Sequence, residues 1–265
     1  MRDENLHPLR RLSQCFMVDQ RLLTRLADYG EVNACDTVLE VGAGFGLLTK
    51  ILAERAGKVI AAEIDKGLIR VLRRELAHNA NVEIVPGNFF TANITGYNKV
   101  VCNPPYKESS NLLFHMLGRS FDLAVLTLQR EFTQRLTAEP DSEHYGRLTV
   151  MAYMKADFEV MEDVPSRAFY PSPEVSSTVV RIKPKPKPPF HVVDWRIFEE
   201  VVRWFFTQRR RKVRKAMQTL AKAHPALSVP MDRFPSSLSE ARVFELRPED
   251  FGTIVDIIAR INTQP

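Results

Sequence analysis

The stretch that most narrows the possible folds is Thr37–Val41, followed at once by Gly42-Ala-Gly44-Phe-Gly46 and by Leu48, Ile51 and Leu52 at helical spacing. An apolar strand that breaks into glycines and resumes as a helix is the opening unit of a doubly wound sheet. Further apolar runs stand at Lys58–Ile64, Val82–Val85, Lys99–Cys102 and Leu123–Leu128, with helical segments between them. Near-continuous apolar strands are covered on both faces, as in a parallel sheet. Val175–Ile182 reads as a late β-branched strand, paired with one around Phe158–Met161. The expected fold is α/β, a doubly wound Rossmann-like domain over residues 1–182.

Lys183–Pro189 reads KPKPKPP. Alternating prolines forbid a regular helix and favour a stiff, extended connector, so residues 183–189 are expected to be a linker. Residues 190–265 read as helices. Val193, Ile197, Val201 and Phe205 share one stripe, Val213, Met217 and Leu220 another, and Phe251, Ile254, Val255, Ile258 and Ile261 a third. A smaller all-α C-terminal domain is expected there.

Charge is unevenly spread over this plan. The whole chain carries +5, yet residues 181–222 hold thirteen basic residues against three acids, a local net of +10. Such a segment points to a polyanion. No apolar run reaches the ~18 residues of a membrane span. Met1–Arg11 lacks the apolar core of a secretory signal. Cys15, Cys35 and Cys102 are too few and too scattered for a disulfide framework, which makes a reducing cytoplasm the expected location. The six histidines show no metal-ligand spacing, so no metal is expected.

Two motifs fall at the carboxyl edge of the expected sheet, where doubly wound proteins bind ligands. The first is the glycine turn. Leu47 stands where the dinucleotide fingerprint needs a small residue. Glu63 ends the second strand, where a carboxylate can accept both ribose hydroxyls of a nucleoside. No cation stands ready for phosphates. The combination favours S-adenosylmethionine as cofactor.

The second motif is Asn103-Pro104-Pro105-Tyr106, directly after the fourth strand. An exocyclic amine on adenine is a poor nucleophile because its lone pair is delocalised into the ring. The Asn103 side-chain oxygen and the Pro104 carbonyl oxygen can accept its two N–H groups, favouring a pyramidal nitrogen aimed at a methyl donor. Tyr106 offers a flat face for stacking, worth about 1–3 kcal/mol per base. The rest is alignment, and no general base is required. Both motifs together predict a methyltransferase acting on a planar amine or amide.

Taken in order, these segments resemble the ribosomal RNA adenine N6,N6-dimethyltransferases, relatives of the erythromycin-resistance methylases. The resemblance runs through Ser13-Gln-Cys-Phe-Met17, the glycine turn, Glu63, Gly87-Asn88-Phe89, the Asn-Pro-Pro-Tyr motif and Tyr145-Gly-Arg-Leu148. It continues with Phe169-Tyr-Pro-Ser-Pro173, Val175-Ser-Ser177 and the basic run Gln208-Arg-Arg-Arg-Lys212. It implies a class I methyltransferase domain and cofactor contacts from Cys15, Met17, Gly42, Gly44, Glu63, Asn88 and Asn103. Phe169 would cover the base face opposite Tyr106. Arg209, Arg210, Arg211, Lys212, Arg214 and Lys215 are expected to meet RNA. The chain departs from the family's usual residues at Ser13, Cys15 and Met17, and has Asn88 where Asp is usual.

The implied reaction is dimethylation of two adjacent adenines in a loop near the 3′ end of small-subunit ribosomal RNA, with the immature small subunit as partner and the enzyme a monomer. A DNA adenine or protein glutamine methyltransferase is the rival enzyme, since the same motif serves those amines. A ribosome-assembly factor acting by binding alone is the rival from another class.

Overall fold

A computed structural model of the protein describes residues 15–262. Ser13 and Gln14 of the early motif lie outside the described residues. In chain order the elements begin with β1 (Phe16–Met17), α1 (Gln20–Tyr29), β2 (Thr37–Val41), α2 (Leu47–Ala53), β3 (Lys58–Glu63), α3 (Lys66–Glu75), β4 (Val82–Pro86) and β5 (Lys99–Cys102). Then follow α4 (Ser109–Met116), β6 (Leu123–Gln129), α5 (Arg130–Leu136), α6 (Arg147–Tyr153), β7 (Ala156–Val164), β8 (Phe169–Tyr170) and β9 (Ser177–Pro184). The last four are α7 (Trp195–Phe206), α8 (Val213–Ala223), α9 (Ser236–Glu240) and α10 (Pro248–Asn262).

The chain forms two compact units. One holds the residues up to Thr133 together with Asp157–Pro184; the other holds Gln134–Ala156 and the residues from Lys185 onward.

In the first unit a seven-stranded sheet runs β4-β3-β2-β5-β6-β9-β7. β2 pairs in parallel with β3 and β5, β3 with β4, and β5 with β6, whereas β9 is antiparallel to β6. The interior strands read as solid apolar runs because both faces are covered: Val100, Val101 and Cys102 of β5 are fully buried. The chain steps outward from β2 to β4, then returns to β5 on the other side of β2. That reversal opens a crevice beyond Val41 and Cys102, the ligand-binding place of doubly wound sheets. The late strand does neighbour the 156–164 strand, and the α/β Rossmann-like reading holds.

A separate antiparallel ribbon is the addition that sequence periodicity did not show. β1 and β8 pair Phe16 with Tyr170 and Met17 with Phe169, and the Val18 N–H donates to the Ala168 carbonyl at 2.8 Å. The ribbon turns Met17 and Phe169 inward, 4% and 3% exposed, and leaves Tyr170 outside.

The second unit is helical around fully buried Phe198, Phe205 and Phe251. Asp194 caps α7 by accepting from the Arg196 and Ile197 N–H groups at 2.8 and 3.1 Å. The boundary expected after residue 182 needs correction. β9 runs on to Pro184, so the first two residues of the proline-lysine stretch finish a strand. Residues 134–156 belong to the helical unit rather than to the sheet unit. Within that unit the Tyr145 hydroxyl donates to the Leu246 carbonyl at 2.7 Å, and Val150 and Ala152 of α6 are fully buried. Among the described residues no helix is long and apolar enough to cross a membrane.

Candidate active site

The crevice is a cavity of about 290 Å³ in the sheet unit. Cys15, Met17, Gly42, Gly44, Glu63, Asn88, Asn103, Pro104 and Tyr106 all line it, so the structure gathers most of the residues singled out from sequence. The glycine turn is bound down by the Gly42 and Ala43 N–H groups, which donate to the Ala62 carbonyl at 2.9 and 3.2 Å. Gly42 and Gly44 both take positive φ, 80° and 58°. A Cβ at Gly42 would stand 3.3 Å from Pro105, and one at Gly44 3.0 Å from the Phe16 ring. Side chains here would therefore close the gap between the turn, the Asn-Pro-Pro-Tyr loop and the ribbon.

Glu63 is 5% exposed and held by three backbone donors. Its Oε2 accepts from the Gly44 N–H, and its Oε1 from those of Ile64 and Asp65, each at 2.9 Å. The carboxylate is thus fixed against the cavity. Asn88 opens the turn after β4, and its Oδ1 accepts from the Phe90 N–H at 2.9 Å. That bond occupies part of the only acceptor its side chain has.

The Asn103 Nδ2 donates to the Cys15 carbonyl at 3.2 Å. A carbonyl only accepts, so this contact turns the amide nitrogen toward β1 and the oxygen away from it. The Asn103 Oδ1 is buried and has no partner. Among the described residues no donor meets the Pro104 carbonyl either. The two unmet acceptors belong to consecutive residues that both line the cavity, and an unmet buried acceptor costs about 1–3 kcal/mol. Cys15 makes this contact through its backbone, so its departure from the family's usual residue does not affect it.

Tyr106 lies across from Phe169 with ring centroids 6.5 Å apart and planes at 76°. The rings therefore meet edge to face. Phe169 packs in the core cluster with Met17 and does not line the cavity. Phe169, expected to cover the base face opposite Tyr106, here stands edge-on to that ring.

The basic residues divide by their partners within the helical unit. Arg209 donates to the Ser142 carbonyl at 3.0 Å and lies 5.4 Å from the centre of the Phe244 ring. Lys212 and Arg214 share Glu240 at 2.7 and 3.2 Å. Arg210, Arg211 and Lys215 are exposed. They stand in the turn before α8 and on its first turn, where backbone N–H groups also favour an anion.

Sequence reasoning assigned no role to three groups that shape the cavity. Phe16 and Phe45 line it and pack edge to face at 4.7 Å. Glu40 is buried beneath the turn and accepts from the Thr49 hydroxyl at 2.6 Å. Burial pushes its carboxyl up to about 8, the Thr49 bond opposes, and the Glu63 charge adds to the rise. An acid inside the apolar strand Thr-Val-Leu-Glu-Val was the available signal for it. Among the described residues no group of His, Cys, Asp and Glu is arranged to hold a metal.

Known proteins resemble this chain over most of its length. A family model described as "Ribosomal RNA adenine dimethylase" matches residues 7–260. A relative from Methanopyrus kandleri, named "Probable ribosomal RNA small subunit methyltransferase A", is 43% identical over 92% of this chain and 90% of its own. A Thermococcus kodakarensis protein of the same name is 39% identical over 97% and 92%. Among solved structures, the 23S rRNA methyltransferase ErmE superposes with a TM-score of 0.71 at 27% identity, covering 92% of this chain and 99% of that one. A dimethyladenosine transferase from Plasmodium falciparum superposes with a TM-score of 0.78, covering 92% and 98%; at 23% identity it speaks for the fold alone. With the family model spanning nearly the whole chain and close relatives beside it, this protein belongs to the ribosomal RNA adenine dimethylase family.

Proposed function

We propose that this protein dimethylates N6 of adenine in ribosomal RNA, using S-adenosylmethionine, and that its target is two adjacent adenines in a loop near the 3′ end of the small-subunit RNA. The observation that carries the reading is the buried, unpartnered Asn103 Oδ1 beside the free Pro104 carbonyl. Two fixed acceptors with nothing to accept from match an amine that brings two N–H groups.

The cavity fits the cofactor. Gly42 and Gly44 leave room for close approach, Glu63 can accept two ribose hydroxyls, and Asn88, which lines the same cavity, can accept from an adenine amine. When bound, S-adenosylmethionine supplies an electrophilic methyl group. Asn103 and Pro104 hold the target amine by its hydrogens and keep its lone pair out of the ring system. Tyr106 supports the base from one face. Loop adenines suit such a site because they unstack at small cost. Arg210, Arg211 and Lys215 supply exposed charge for phosphates, which position the RNA without reading its sequence.

Transfer of labelled methyl groups tests the reading, with small ribosomal subunits, naked DNA and protein as competing acceptors. Label in the RNA of the small subunit is expected. Label in DNA or protein alone would instead favour the rival amines. A growth assay separates catalysis from mere binding: full rescue of a deletion strain by Asn103→Ala would make binding the essential duty.

A further inference from the structure

Tyr106 is the ring on which the proposed base stacks, and its orientation is set by a residue outside its own loop. The Tyr106 hydroxyl and the Ser177 Oγ are 2.5 Å apart. Ser177 is the first residue of β9 and is 1% exposed. β9 runs against β6, with Ser177 in register with Gln129 at the end of that strand. The reversed strand therefore starts where the parallel strands finish. Only an antiparallel neighbour brings its first residue to this edge of the sheet. Ser177 is locked by strand pairing and burial, so its hydroxyl is a fixed point rather than a mobile partner.

We propose that Ser177 is a positioning residue that fixes the plane of the Tyr106 ring against which the target adenine stacks. The inference rests on the reading of Tyr106 as the base platform. At its other end Tyr106 opens the short 3₁₀ turn Tyr106–Glu108, in which the Glu108 N–H donates to the Pro105 carbonyl at 2.9 Å. The ring is thus held at backbone and hydroxyl alike. Burial raises the phenol pKa, against the opposing Ser177 bond, and keeps the hydroxyl neutral. Phe169 stands at 76° to this fixed ring. For both rings to lie parallel to a base, Phe169 is the one that must turn.

The test is a double-mutant cycle on the full-length protein, with single-turnover methyl transfer to small-subunit RNA at saturating cofactor. Ser177→Ala and Tyr106→Phe are each expected to slow transfer about tenfold, the worth of one hydrogen bond. The KM for cofactor should not change. The double variant is expected to be no slower than the worse single, and Ser177→Thr to restore the rate. Losses that multiply in the double variant would show two independent roles and overturn the proposal. So would a loss in Ser177→Ala that follows a lowered melting temperature. Full activity of Ser177→Ala beside a crippled Tyr106→Ala overturns only the positioning role. Full activity of Tyr106→Ala overturns the platform reading with it.

Discussion

Asn103 gives its amide nitrogen to the Cys15 carbonyl at 3.2 Å and is left with a buried oxygen that nothing in the described protein satisfies. The two residues are 88 positions apart, and the contact determines which end of the amide faces the cavity. With Pro104 it creates a pair of acceptors whose natural complement is an NH2 group.

The first consequence is kinetic. Unmethylated adenine offers two N–H groups to Asn103 and Pro104, while the singly methylated base offers one. Asn103→Ala is expected to slow transfer by roughly 10²–10³-fold, the scale of losing one preorganised hydrogen-bonding group at a reacting centre. The two transfers should suffer unequally. Single-turnover assays on unmethylated and monomethylated RNA measure this, and equal losses would contradict the two-acceptor scheme.

Cys15 contributes a backbone oxygen, and burial pushes its thiol pKa up, which keeps the thiol protonated and unreactive. Cys15→Ser is therefore expected to leave the transfer rate within about twofold, as for substitutions that remove no partner. The same single-turnover assay checks it.

Asn88 spends part of its only side-chain acceptor on the Phe90 N–H. Asp at this place would keep that bond and present a second, charged oxygen, and charged acceptors bind about twice as strongly as neutral ones. Asn88→Asp is expected to lower the cofactor Kd several-fold, measured by calorimetry. An unchanged or raised Kd would mean that the adenine amine is not met here.

Much of this site was legible before the fold was known, for identifiable reasons. Thr37–Val41 and Val100–Cys102 announce buried strands by their apolar runs, and the glycine and Asn-Pro turns that follow them fall at one sheet edge by topology alone. The β1–β8 ribbon left no such trace, because strands of two residues have no periodicity. The Asn103–Cys15 and Tyr106–Ser177 contacts join segments far apart in the chain. Residues 134–156 misled for a different reason. Arg147–Tyr153 is a short, mostly apolar helix like those between the strands of the sheet, and sequence does not say which unit buries it.

Glu40 makes a pH prediction with a definite sign. Its carboxyl is raised from 4.5 to about 8 by burial, so the folded state holds a proton that the unfolded chain releases at lower pH. Its contribution to stability is fully present below pH 4.5 and is lost as pH rises toward 8. Glu40→Gln keeps an acceptor for Thr49 and removes the ionisation. Melting temperatures between pH 5 and 9 are expected to fall less in the variant than in the wild type. Parallel curves would show that Glu40 does not carry this proton.

The basic cluster divides into structural and free charges. Replacing Arg210, Arg211 and Lys215 by Ala is expected to weaken RNA binding and flatten its salt dependence. Each lost phosphate contact to a single strand should reduce the slope of log K against log salt by about 0.7. Arg209→Ala removes the bond to Ser142 and the packing on Phe244, so it should lower the melting temperature more than the slope. Filter binding over a salt series, with thermal melts, separates the two effects.

The most direct measurement of the central claim is mass spectrometry of nucleosides from small subunits incubated with the enzyme and methyl-labelled cofactor, wild type beside Asn103→Ala. Labelled N6,N6-dimethyladenosine is expected with the wild type, and a sharp loss with the variant. Label on any other nucleoside, or dimethyladenosine formed equally well without the Asn103 side chain, would contradict it.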